Sequence, residues 1–115
     1  MTASITFRGA ARVVTGSAYE LALGGKKILV DCGVLQGEPG AAERNAISPV
    51  PVPSELDAVV LTHGHLDHVG RLPLLVKDGF RGRIHAHPAT LDIAKIVLLD
   101  AAKIASLPTV FRPDG

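Results

Sequence analysis

Between Thr62 and Gly70 the chain places three histidines and an aspartate within six residues: His63, His65, Asp67 and His68. The cluster directly follows Ala58-Val59-Val60-Leu61, a short, wholly apolar run that reads as a strand buried on both faces. Ligands on a helix would recur at i and i+4. Here the first pair is i and i+2, which suits an extended segment leaving a strand, with His63 and His65 pointing the same way. Asp67 and His68 then follow as the chain turns, with Gly64 and Gly70 relieving steric limits on that turn. Three imidazoles and a carboxylate suit Zn²⁺ better than Ca²⁺ or Mg²⁺. Four such groups in six residues do not easily share one tetrahedral ion, so the spacing suggests two neighbouring ions. Histidine pairs are often only polar surface or satisfied core groups. Four fixed positions in six would arise by chance in roughly one sequence in a thousand of this length.

The rest of the chain supplies alternating strands and helices. Ser4–Arg8 alternates polar and apolar residues, the pattern of a half-buried strand. Residues 17–23 and 26–31 read as two more strands joined by a Gly24-Gly25 hairpin turn, hence antiparallel neighbours. Residues 33–57 are rich in glycine and proline and read as a long connection with a helical turn near Ala41–Asn45. Gly70–Asp78 reads as a helix with Pro73 in its first turn, and Arg83–His87 as a short strand. Thr90–Ser106 is the clearest helix, stopped by Pro108 and Pro113. Its polar residues Asp92, Lys95, Asp100 and Lys103 share one arc, which leaves an apolar face wide enough to need a cover.

Composition excludes several classes. The chain has 115 residues, 47% of them hydrophobic, 20% charged, with net charge +1. That is one domain at most, not a disordered tail, and without the strong charge that marks a nucleic-acid or membrane surface. The single cysteine, Cys32, forbids an internal disulfide and favours a cytoplasmic reading. Arg8, Arg12 and Glu20 interrupt the first twenty residues, so no signal peptide is expected, nor is any apolar run long enough to span a membrane.

The segment T-H-G-H-L-D-H-V-G over residues 62–70 resembles the second motif of the metallo-β-lactamase superfamily, H-x-H-x-D-H. Val30-Asp31-Cys32-Gly33 resembles its first motif, an aspartate closing a strand. Gly9–Ser17 and the helix Ala89–Ala105 are similar to the β-CASP branch of RNA-processing nucleases. The resemblance implies an α/β fold, the N-terminal half of an αββα sandwich, with the site at the sheet edge where Leu61 ends. It implies that His63 and His65 bind a first zinc and Asp67 and His68 a second. Asp67 would also orient the attacking hydroxide, and Asp31 would support the ligand loop from behind. The implied activity is zinc-dependent hydrolysis of RNA phosphodiesters, with RNA as partner of the full-length protein. The family's remaining ligands, two histidines and a bridging aspartate, come later than Gly115.

Residues 1–115 therefore read as the N-terminal part of such a domain, without the β-CASP insertion. This chain alone is expected to lack robust hydrolysis. A thioester or lactam hydrolase on the same fold, and an inactive remnant, are the competing readings. His85 and His87 match no family ligand and read as ordinary strand residues. Arg8, Arg12, Arg71, Arg81 and Arg83 read as solvated or paired surface groups. Gly16-Ser17 reads as a strand-entry turn, and Cys32 as a small buried side chain.

Overall fold

The computed structural model describes residues 3–9, 15–37 and 39–105. Arg12, most of the Gly9–Gly16 connection, and the stop at Ser106, Pro108 and Pro113 lie outside them. Five strands form one sheet in chain order: β1 (Ala3–Gly9), β2 (Ala18–Leu23), β3 (Lys26–Val30), β4 (Ala58–Val60) and β5 (Arg83–His85). β1, β2 and β3 are antiparallel, and β3, β4 and β5 are parallel. The hairpin turn falls at Gly24-Gly25, both with positive φ (58° and 80°), as a two-residue turn between twisted strands demands.

Parallel strands need crossovers. The first runs through α1 (Ala41–Asn45) and a 3₁₀ turn at Pro53–Glu55 that the sequence did not announce. Asp57 sets its register: its backbone N–H donates to the Lys27 carbonyl (2.8 Å), and its carboxylate accepts from the Lys27 N–H (2.8 Å). The second crossover carries α2 (Leu66–Val69) and α3 (Leu72–Lys77). Then comes α4 (Pro88–Ala105), with proline at its first position, where no backbone donor is missed.

One face of the sheet is covered. Leu29 and Val59 pack with Val69, Leu72, Leu75, Phe80 and Ala94 into a single core. Leu75 is fully buried. Leu75→Ala is expected to cost about 2–5 kcal/mol, read as a lowered midpoint in urea denaturation.

The opposite face corrects two expectations. Strand pairing aligns Ile5 with Leu21 and Ile28, and Phe7 with Tyr19 and Val30. Ile5 and Phe7 are nevertheless 62% and 65% exposed, so β1 is not half-buried. β4 is buried on one face only: Val59 is fully enclosed, whereas Ala58 and Val60 are intermediate. The physical reason is shared. Helices cover one side, and among the described residues no second layer covers the other. This is the helix-plus-sheet half of an αββα sandwich, as expected. α4 agrees: Ala94, Val97 and Leu98 face the core, while Leu91, Ile96 and Leu99 remain exposed. No helix among the described residues is long and apolar enough to cross a membrane.

Candidate metal centre

The histidines sit where β3 and β4 run out, side by side and parallel. Past Val30 the chain reaches Asp31, a non-glycine residue at φ 64°. That left-handed conformation is tolerated by aspartate better than by most residues. It turns a 2% exposed carboxylate toward the loop after β4. Asp31 Oδ1 accepts the Thr62 backbone N–H (2.8 Å), and Oδ2 accepts the Thr62 hydroxyl (2.6 Å). Oδ2 also lies 2.9 Å from His68 Nδ1.

These contacts fix two tautomers. A carboxylate only accepts, so His68 Nδ1 must carry a proton, and in the neutral ring Nε2 is left with a lone pair. The Thr62 hydroxyl spends its one proton on Asp31. It can then only accept from His63 Nδ1, 3.0 Å away, so His63 also keeps its proton on Nδ1 and frees Nε2. Thr62 belongs to the family-like segment, but spacing gave it no role. The hydroxyl between a carboxylate and an imidazole was the available signal.

The four candidate ligand residues are neighbours in pairs. The His63 and His65 rings stack with centroids 6.3 Å apart, and His63 and His68 lie 4.6 Å apart. His68 Nε2 is 3.6 Å from Asp67 Oδ2. His63 and His65 are exposed, and Asp67 and His68 are half-buried. Among the described residues, no three His, Cys, Asp or Glu side chains converge tightly enough to cage an ion by themselves. The donor chemistry still fits zinc: imidazoles with a free Nε2 beside a carboxylate.

The turn after His65 is one helical turn, Leu66–Val69, with His65 extended at its start (φ −73°, ψ 156°). Gly64 and Gly70 relieve steric limits there, and not through positive φ. They permit close approach instead. A Cβ on Gly64 would press on Ile93 of α4, and one on Gly70 on Val34 and the Leu66 carbonyl. The turn is bonded to the rest of the molecule at several points. Ser17 N–H donates to Asp67 O (3.1 Å), Cys32 N–H to His68 O (2.7 Å) and Val34 N–H to Leu66 O (3.2 Å). Gly16-Ser17 is thus a strand-entry turn whose serine docks on the loop bearing Asp67.

Other residues resolve simply. His87 Nδ1 accepts the Ala89 N–H (3.1 Å), so it caps α4. His85 is exposed. Arg8 pairs with Glu20 (3.2 Å), as a paired group should. Arg71 contradicts the surface reading. It is 4% exposed, and its Nε donates to the Gly33 carbonyl. Its pKa is lowered from the ordinary value by burial. Cys32 is fully buried, and desolvation pushes its thiol up from 9.0 to about 12. The sign follows: the folded state favours the thiol. Its contribution is constant below about pH 9 and is lost as pH rises toward about 12. Cys32 is therefore expected to resist iodoacetamide at pH 8 in the folded protein and to react promptly in urea, a contrast read by mass spectrometry.

Residues 11–103 match the metallo-beta-lactamase superfamily. The chain belongs to that superfamily, and its relatives place it with strong homology to the β-CASP RNA-processing nucleases. It is 52% identical over 106 residues to Ribonuclease TTHA0252 of Thermus thermophilus, covering 92% of this chain and 24% of that protein. It is 38% identical over 104 residues to Cleavage and polyadenylation specificity factor 73 of Drosophila melanogaster, covering 88% of this chain and 15% of that protein. The fold is similar to that of the metallo-beta-lactamase fold protein YhfI from Bacillus subtilis, with TM-score 0.53 and 25% identity over 78% of this chain and 40% of that one. The chain thus spans about a quarter or less of the length of these curated relatives.

Proposed function

We propose that this chain supplies half of a two-zinc hydrolytic centre that cleaves RNA phosphodiesters. His63 and His65 hold one ion, and Asp67 and His68 the other. The observation that carries this reading is the run His68–Asp31–Thr62–His63, which engages both Nδ1 atoms and leaves the Nε2 atoms of the two neutral rings available to a metal. A hydrogen-bonding network is a costly way to arrange ordinary surface histidines.

Such a pair of ions supplies a nucleophile at neutral pH and neutralises charge on the phosphoryl group. The chain's own residues do the rest. Asp31 holds the tautomer of His68, and Thr62 that of His63. Asp67, beside His68, would accept a proton and orient the attacking oxygen. We take residues 1–115 as part of a metallo-β-lactamase domain whose remainder supplies the other ligands and covers the exposed face bearing Ile5 and Phe7. The substrate class rests on relatives named as a ribonuclease and as a cleavage and polyadenylation factor. A reducing, cytoplasmic setting suits the buried free thiol of Cys32.

The test is a paired assay on the full-length protein. RNA cleavage that is abolished by a chelator, restored by zinc and lost in Asp67→Asn is expected. Thioester or lactam turnover without RNA cleavage would overturn the substrate class. Zinc content unchanged in a His63→Ala/His68→Ala double variant would overturn the ligand assignment.

A further inference from the structure

Three guanidinium groups meet on the helix-covered side of the sheet, at a place the hydrolytic reading does not use. Arg8 of β1, Arg44 of α1 and Arg71, between α2 and α3, line a cleft of about 190 Å³ with Ile47, Ser48 and Pro49. Arg71 is the buried member. Its Nη1 reaches the Arg44 carbonyl at 3.5 Å and the Ile47 carbonyl at 3.4 Å, both long for hydrogen bonds. Its Nη2 is buried with no partner among the described residues, and so is Arg8 Nε. An unmet buried donor is costly, and a charged one more so. Among the described residues, one carboxylate, Glu20, is paired with this group, through Arg8. Three positive charges thus face one negative charge. Burial lowers the pKa of Arg71, and the nearby charge of Arg44 adds to that.

We propose that the cleft between Arg8, Arg44 and Arg71 is a binding site for a phosphate group, separate from the metal centre. A carboxylate is planar and satisfies one guanidinium fork. Donors arriving from three different segments suit a tetrahedral oxyanion, which offers acceptors in several directions. The cleft has room for such a group together with water. The phosphate could be free or could belong to a nucleotide, and the two sources differ in what surrounds the oxyanion. This inference does not depend on the hydrolase reading.

The experiment is calorimetric titration of the purified protein, treated with chelator so that the histidines hold no metal. Inorganic phosphate and adenosine 5′-monophosphate are the two probes, with chloride at matched ionic strength as control. Saturable binding is expected with at least one probe. Arg44→Ala, at an exposed position, is expected to weaken it about tenfold or more, and Arg8→Gln likewise. Tighter binding of the nucleotide assigns the site to a nucleic-acid phosphate. Equal or exclusive binding of inorganic phosphate assigns it to the free ion. No saturable binding of either probe at millimolar concentration overturns the proposal. So does binding that both variants leave unchanged, because the anion would then sit elsewhere.

Discussion

Zinc affinity is expected to fall about 10- to 100-fold when Asp31 becomes asparagine, with the fold left in place. The substitution is chosen for its backbone. Asp31 sits at φ 64°, and asparagine accepts that conformation as readily as aspartate does. Alanine would add conformational strain to the loss and confuse the result. Chemically the change is severe. Oδ2 accepts from both Thr62 and His68, and an amide NH₂ in its place would present protons to protons. His68 would then move its proton to Nε2 or swing away, and either disables it as a ligand. Competition with a chromophoric chelator reads the affinity, and thermal denaturation without metal reads the fold. Unchanged affinity with an unchanged midpoint would falsify the orienting role of Asp31.

Gly33→Ala is expected to be the most disruptive glycine-to-alanine change among the described residues. A Cβ at this position would fall directly on the carbonyl of Asp67 and crowd the His68 N–H. Neither is a flexible side-chain tip. Both belong to the turn that carries Asp67 and His68, and the Gly33 N–H is itself bonded to the Ser17 carbonyl (3.0 Å). Relief requires parting the end of β3 from the Leu66–Val69 turn. The expected cost is above about 3 kcal/mol, at the upper end for overpacking, or failure to fold. Gly25→Ala is the control. It has φ 80° but open space around it, so it should cost only about 1 kcal/mol. Urea denaturation of the two variants side by side decides the matter. Equal midpoints would show that the turn yields easily.

Much of this arrangement was legible in the residues. Alternation and Gly24-Gly25 located the antiparallel strands, because both signals are local. The i, i+2 spacing placed His63 and His65 on one side, because a strand has period two. The features that escaped depend on what lies across space. Alternation at Ile5 and Phe7 shows that two faces differ, but not which of them finds a partner. Arginine is a surface residue on average, so the burial of Arg71 could not be read from its type. Thr62 is unremarkable in sequence, and its place between Asp31 and His63 exists only once β3 and β4 lie parallel. His87 caps a helix that could be foreseen, but its ring did not announce the cap.

The parallel seam also imposes an order in time. The two hairpins joining β1, β2 and β3 close over short stretches of chain. The pairing of Ile28–Val30 with Ala58–Val60 must first close a crossover of more than twenty residues. Asp31, Cys32 and Val34 meet Thr62, His68 and Leu66 only through that closure. The histidine cluster therefore cannot pre-exist in an early, locally folded intermediate. An ion that prefers the assembled cluster would leave the early steps untouched. It would act instead on the escape rate, holding the chain in the folded state after the seam has shut.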